Sequence, residues 1–261
     1  MKQNINNLSI VFTVRVDSQE RLKNILATVA YYHMFTDCPL ILLEADKESK
    51  LGTLLEQKFP ELKYIFVYDE NTIFHRTHYI NEELRIVSTR HAAIIDSDII
   101  VPIEQLKNAN KILTNTGNVM VYPYDGRFVG HDAYFSDKFR ETIDPDVFDV
   151  VEGNQYLMFG FISVGGAFLV NVERYRELGW ENEYFPGWGP EDFEREHRLD
   201  ILGHKPARVI GKVHHLYHPR GINSSNSNAS LMLTTKREYC NVCSMNTEEL
   251  HNYINTWPWI K

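Results

Sequence analysis

The 261-residue sequence predicts an α/β fold built on a mostly parallel sheet. Three observations carry this. Short apolar runs alternate with helix-period patterns through the first hundred residues. The runs are continuously apolar rather than alternating, as strands covered on both faces are. The composition, 43% hydrophobic and 24% charged, is that of a chain that buries a sizeable core.

Leu8–Val16 is the first strand, and Asp17 or Ser18 caps a helix whose Leu22, Ile25, Leu26 and Val29 recur at helical spacing. Pro39–Ala45 is a second strand, Glu48–Phe59 a helix and Lys63–Tyr68 a third strand. Asn81–Arg90 reads as a helix, and Ala92–Ile95 as a fourth strand that runs into Asp96-Ser97-Asp98. In open α/β sheets ligands sit beyond the carboxyl ends of the strands, where this pair of aspartates falls. The second half is less regular. Val119–Tyr122 and Phe161–Val170 read as strands, Asn171–Leu178 as a short helix, and Gly187–Pro190 as a tight loop opening a helix over Glu191–Leu202. Lys205–Leu216 contains another strand. Tyr124–Phe148 and the polar run Gly221–Ser230 read as irregular loops, and the tail from Leu231 reads as helical.

The net charge of −8 argues against a general nucleic-acid binder, whose footprint is a basic face. It leaves room for a phosphate ligand, because a divalent cation inverts the field of an acidic site. Three cysteines, Cys38, Cys240 and Cys243, form no disulfide framework and fit a reducing compartment. No signal or membrane-spanning segment is visible, so the expectation is a soluble cytoplasmic protein.

Three constellations carry chemistry. Asp96 and Asp98, one residue apart after a buried strand, suit a hard cation that also grips a diphosphate, although D-x-D also occurs in solvated turns. In Pro186-Gly187-Trp188-Gly189-Pro190-Glu191-Asp192, helix-dipole complementarity accounts for the carboxylates but not for an indole between two glycines. A flat ring beside two carboxylates is a sugar platform with a base next to it. In His214-His215-Leu216-Tyr217-His218-Pro219-Arg220-Gly221, a continuing strand would put His214 and His218 on one face; His215 and His218 share a metal only if the chain turns there. Nitrogen ligands beside aspartates favour Mn²⁺ over Mg²⁺.

With these residues in place, the segment Val164–Gly221 resembles the catalytic region of the β-1,4-galactosyltransferase family and its GT-A relatives. The resemblance rests on Gly165-Gly166, Gly187-Trp188-Gly189-Pro190-Glu191-Asp192 and His218, in that order, with Thr72–Arg76 and Asn81 upstream and Arg15 after the first strand. It implies a GT-A fold: a Rossmann-like, mostly parallel sheet with helices on both faces and an irregular acceptor-binding half. One domain is expected, with a nucleotide half at about 1–100, a catalytic and acceptor half at about 101–230 and a helical tail at about 231–261.

The same resemblance implies residue roles. Asp98 and His218 would hold the metal with His215 in a second ligand position, and Asp96 would lie nearer the ribose. Arg15, Phe74 and Arg76 would line the nucleotide pocket, with Asp17 or Glu44 near the uridine. Asp192 would be the general base. Glu191 and Trp188 would shape the sugar and acceptor sites beside Gly165, Gly166 and Ser163. Phe193 departs from the family's acidic run, and Ser163 replaces an aromatic of galactose-specific members, which opens the donor to GalNAc or GlcNAc as well as galactose. Without an anchor or cysteine pattern the chain resembles bacterial relatives that build surface polysaccharides. The implied activity is Mn²⁺- or Mg²⁺-dependent, inverting transfer from a UDP-sugar to a glycan or glycolipid, with peripheral membrane contact. The rivals are a metal-dependent hydrolase of nucleotide-diphosphate sugars and a non-catalytic sugar-nucleotide binder.

Overall fold

The computed structural model describes residues 2–149, 155–160, 162–221 and 228–260. Phe161 and residues 222–227, on which parts of the strand Phe161–Val170 and the loop Gly221–Ser230 were expected, lie outside the described residues.

The four expected N-terminal strands form, as β1 (Leu8–Val14), β2 (Leu40–Asp46), β3 (Lys63–Tyr68) and β4 (His91–Ile95). Between them lie α1 (Gln19–Phe35), α2 (Gly52–Lys58) and α3 (Arg76–Ile86). Every residue of β1, β2 and β4 is buried, as their unbroken apolar runs require, while β3 is a partly exposed edge. Ser18, rather than Asp17, caps α1 by accepting from the Arg21 N–H at 3.1 Å. Helix α3 starts five residues before the expected Asn81. Its entry residue His75 makes no side-chain cap, the usual sequence mark of a helix start; its ring nitrogen instead meets the Glu183 carbonyl at 2.8 Å.

The large sheet has seven strands in the order β10-β6-β9-β4-β1-β2-β3. It includes β6 (Met120–Tyr122), β9 (Ala167–Asn171) and β10 (Ala207–Arg208), with β9 antiparallel to both neighbours and the other pairs parallel. The chain therefore winds outward from β1 to β3 and then returns to lay β4 against the other side of β1. That reversal opens a crevice at the carboxyl ends of β1 and β4. Helix α3 packs on β1 and β2, and α4 (Ile103–Asn115) on β6 and β9.

A second, four-stranded sheet adds to the one expected, in the order β5-β11-β7-β8: β5 (Ile99–Ile100), β11 (Lys212–His215), β7 (Arg127–His131) and β8 (Gln155–Leu157). The segment Tyr124–Phe148, expected as loop, in fact holds β7 and α5 (Ala133–Thr142). Lys205–Leu216, expected to hold one strand, holds two in different sheets. They are separated at Gly211, whose φ of +135° and contact with the Gln105 side chain leave no room for a Cβ.

The remaining helices are α6 (Val172–Glu177), α7 (Glu191–Ile201), α8 (Ala229–Cys243) and α9 (Thr247–Ile254). Pro190 takes the cap position of α7, one residue before the expected first turn. Cys240 and Cys243 are exposed on α8 and Cys38 is buried, all unpaired. Among the described residues no helix is long and apolar enough to cross a membrane.

Candidate functional site

The two sheets meet where β4 ends. After Ile95 the chain makes the Asp96-Ser97 turn and enters β5, which pairs antiparallel with β11 in the register His215↔Ile99. The Leu216 N–H then bonds the Asp98 carbonyl at 2.9 Å. This pairing carries the histidine segment to the aspartates. Strand β11 stops at His215 and the chain turns, so His215 and His218 face each other with ring centroids 5.2 Å apart. His218 Nε2 lies 3.2 Å from Asp98 Oδ2, and His215 Nε2 lies 3.8 Å from Asp98 Oδ1. The nearest atoms of the three residues all fall within 4.8 Å of one another. His214 points elsewhere, onto His131 at 2.8 Å beneath Phe148.

The donor set fits a divalent metal. Burial pushes His215 down to about 4, so its ring is neutral at pH 7 with a lone pair to offer. Burial raises Asp98, but His215, the hydrogen bond from His218, and Arg21 outweigh it and hold the carboxyl well below the usual range. One carboxylate oxygen and two imidazole nitrogens suit Mn²⁺.

These residues form one wall of a cavity of about 750 Å³. Arg15, Phe74 and Arg76 line it as well. Arg15 donates to the Ala45 and Asn71 carbonyls at 2.9 and 2.7 Å and lies 5.2 Å over the Phe74 ring. Arg76 Nε reaches Asp96 at 3.1 Å, so Asp96 is paired across the crevice rather than with Asp98. Neither Asp17 nor Glu44, implied near the uridine, is among the residues lining this cavity. Glu44 is fully buried and accepts from the Lys50 and Leu51 N–H groups and the Tyr64 hydroxyl; Asp17 pairs with Arg21 at 3.0 Å. Asn81 is likewise internal, holding the turn at Glu181.

Trp188, 43% exposed, Glu191 and Asp192 line the same cavity as the Asp98–His215–His218 cluster. Glu191 is buried and accepts the Gly189 N–H at 2.9 Å. Burial, and then the Asp192 charge, push its carboxyl well up towards the neutral form. Asp192 is more open, with its Oδ1 3.0 Å from Nη1 of the fully buried Arg195. The pair is close but misaligned, since neither atom completes a hydrogen bond. Arg195 spends its other nitrogens on Glu181, at 2.8 and 2.7 Å. A Cβ at Gly165 would overlap the Asp192 carboxylate, so Gly165 is the surface on which that group rests. Ser163 and Gly166 also line the cavity, with Ser163 Oγ 3.3 Å from the Tyr124 hydroxyl.

Sequence reasoning missed several wall residues. Arg21 looks like an ordinary helix residue yet reaches Asp98 at 3.2 Å. Tyr156, Met158 and Phe159 come from an apolar stretch that gives no sign of lining a cavity. The helical tail is a wall too, through Met232 and Lys236 of α8.

No protein-family model matches the chain, and no curated protein matches it in sequence. Solved structures do match in shape. The chain is similar to GalNAc-T7 with UDP, GalNAc and Mn²⁺, at 13% identity and a TM-score of 0.61, over 99% of this chain and 52% of that one. It is similar to the mannosyltransferase PcManGT from Pyrobaculum calidifontis in complex with GDP-Man and Mn²⁺, at 15% identity and 0.52, over 83% and 58%. A third likeness is to the catalytic domain of Drosophila β1,4-galactosyltransferase 7 in complex with xylobiose, at 14% and 0.52, over 92% and 82%. The chain thus spans little more than half the length of the first two. At such identities the likeness is one of architecture, and that architecture is the GT-A glycosyltransferase fold.

Proposed function

We propose that this protein is a metal-dependent glycosyltransferase that moves a hexose or N-acetylhexosamine from a UDP-sugar to an acceptor hydroxyl with inversion. The observation that carries the reading is the convergence on one cavity of a carboxylate-and-histidine cluster, an arginine-lined crevice and the Trp188–Asp192 edge. Asp98, His215 and His218 would hold the ion, which when bound offsets charge building on a leaving diphosphate. Arg15, Phe74 and Arg76 bind the nucleotide, Trp188 stacks on sugar, and Asp192 takes the proton of the acceptor hydroxyl as it attacks the anomeric carbon. A single displacement inverts that centre, whereas retention by double displacement needs a second, nucleophilic carboxylate. Glu191 suits that second role poorly, because it is buried, bonded to its own loop and pushed towards its neutral form. The cellular reading that accompanies this is cytoplasmic synthesis of a bacterial surface glycan by one domain.

The test is UDP release from UDP-sugars with Mn²⁺, with and without a panel of glycan acceptors. Release that depends on acceptor and yields a glycosylated product supports transfer. Equal release in water alone would replace it with hydrolysis.

Two outcomes follow from the sugar end. Ser163 is small where galactose-specific relatives carry an aromatic ring, and its hydroxyl meets that of Tyr124 at 3.3 Å, so N-acetylhexosamine donors are expected to out-compete UDP-galactose. A strong galactose preference in competition assays would sink that choice. Gly165→Ala is expected to cut transfer at least about tenfold, because a sub-ångström shift of a reacting group is costly. UDP affinity by calorimetry should hold, and a fall in UDP binding equal to the fall in rate would place Gly165 in the donor site instead.

A further inference from the structure

Arg21 belongs to the first turn of α1 and faces the crevice with its side chain 14% exposed. Its Nε donates to Asp17 at 3.0 Å. Its Nη1 reaches Ser97 Oγ at 3.3 Å and Asp98 Oδ2 at 3.2 Å. That oxygen is the one His218 meets at 3.2 Å. Asp98 is the only carboxylate in the three-residue cluster, so a permanent cation already shares the one anionic ligand. The guanidinium offsets the charge of that carboxylate, and the two imidazoles add no anionic oxygen. Asp17 returns part of a negative charge, but at 25% side-chain exposure it is better screened by solvent than Asp98.

A ligand set of that charge holds a free divalent ion weakly, and a nucleoside diphosphate supplies both the missing anionic oxygens and a partner for the guanidinium. We infer that Arg21 makes divalent-cation binding conditional on the nucleotide: it repels the free ion, and its repulsion is offset once a diphosphate is present. This rests on the metal-site reading above. It gives Arg21 a role that mere orientation of Asp98 does not, because loss of an orienting contact weakens a site whereas loss of a competing charge tightens it.

The test is titration of the full chain with Mn²⁺, following the free-ion signal by electron paramagnetic resonance, with and without UDP. In the wild type the free ion should bind weakly and UDP should tighten it. Arg21→Gln should tighten the free ion by roughly tenfold or more, since a unit charge a few ångströms from a divalent ion matters by that much even at high dielectric. Arg21→Lys, which keeps the charge, should retain the wild-type pattern. Linkage supplies a second readout: the factor by which Mn²⁺ strengthens UDP binding in calorimetry must shrink in Arg21→Gln by the same factor as the UDP effect on Mn²⁺. Unchanged or weaker free-ion affinity in Arg21→Gln, with a wild-type thermal melt, would overturn the inference while leaving the metal site standing. Absence of Mn²⁺ binding in the wild type even with UDP would overturn the metal-site reading, and this inference with it.

Discussion

Asp192→Asn is expected to bind UDP and Mn²⁺ as the wild type does while transfer falls by roughly 10²-fold or more, the usual loss when a general base is removed. The substitution keeps the shape that rests on Gly165 and removes only the charge. It should also fold. Arg195 keeps its two-nitrogen bond to Glu181 and its seat 4.0 Å over the Phe168 ring, so its charge stays paired when the misaligned contact to Asp192 is lost. A fall in rate therefore reports chemistry. Glu191→Gln is the internal control. Its carboxyl is already pushed towards the neutral form and accepts the Gly189 N–H, which an amide oxygen also does, so binding should weaken more than the chemical step slows. If Asp192→Asn turns over near the wild-type rate while Glu191→Gln does not, the base is Glu191.

The parts of this site that were legible in the sequence are those fixed by local pattern. Unbroken apolar runs gave β1, β2 and β4 almost to the residue, and the position of Asp96 and Asp98 after such a run located the crevice. Trp188 between two glycines marked a further part of its lining. What was not legible depends on long-range pairing. Strands β5, β8 and β11 have two to four residues each, too few to show a period, and only the β5–β11 register brings His215 to Asp98. Whether His215 or His214 joins His218 turned on where β11 stops. Nor does the sequence show that Glu44, implied near the uridine, is satisfied inside the protein by the 49–51 turn and Tyr64. Arg21 and Arg195 carry no signal in one dimension, since each sits at an ordinary helical position and reaches a carboxylate of another element, Asp98 and Glu181.

Asp98→Ala and His218→Ala are each expected to abolish the Mn²⁺-dependent part of UDP binding while a weak, metal-independent part survives. The surviving part should be held by Arg15, Phe74 and Arg76, whose arginines are anchored on the Ala45 carbonyl and on Asp96. The metal-dependent loss should exceed the roughly 10–100-fold typical of a residue that only supports a ligand, because each variant deletes one of three donors. His215→Ala is expected to follow them, since its neutral ring offers a lone pair within the same cluster. The fold should hold in the Asp98 variant: Arg21 keeps Asp17 and Ser97, and the strand junction is made by the Asp98 backbone carbonyl rather than its carboxylate. Calorimetric titration of UDP with and without Mn²⁺ decides the matter. A variant whose UDP affinity still rises on adding Mn²⁺ takes its residue out of the ligand set. The sign of the effect is the sharper discriminator: deletion at Asp98 should weaken Mn²⁺ binding, and deletion of the charge at Arg21, one hydrogen bond away, should strengthen it.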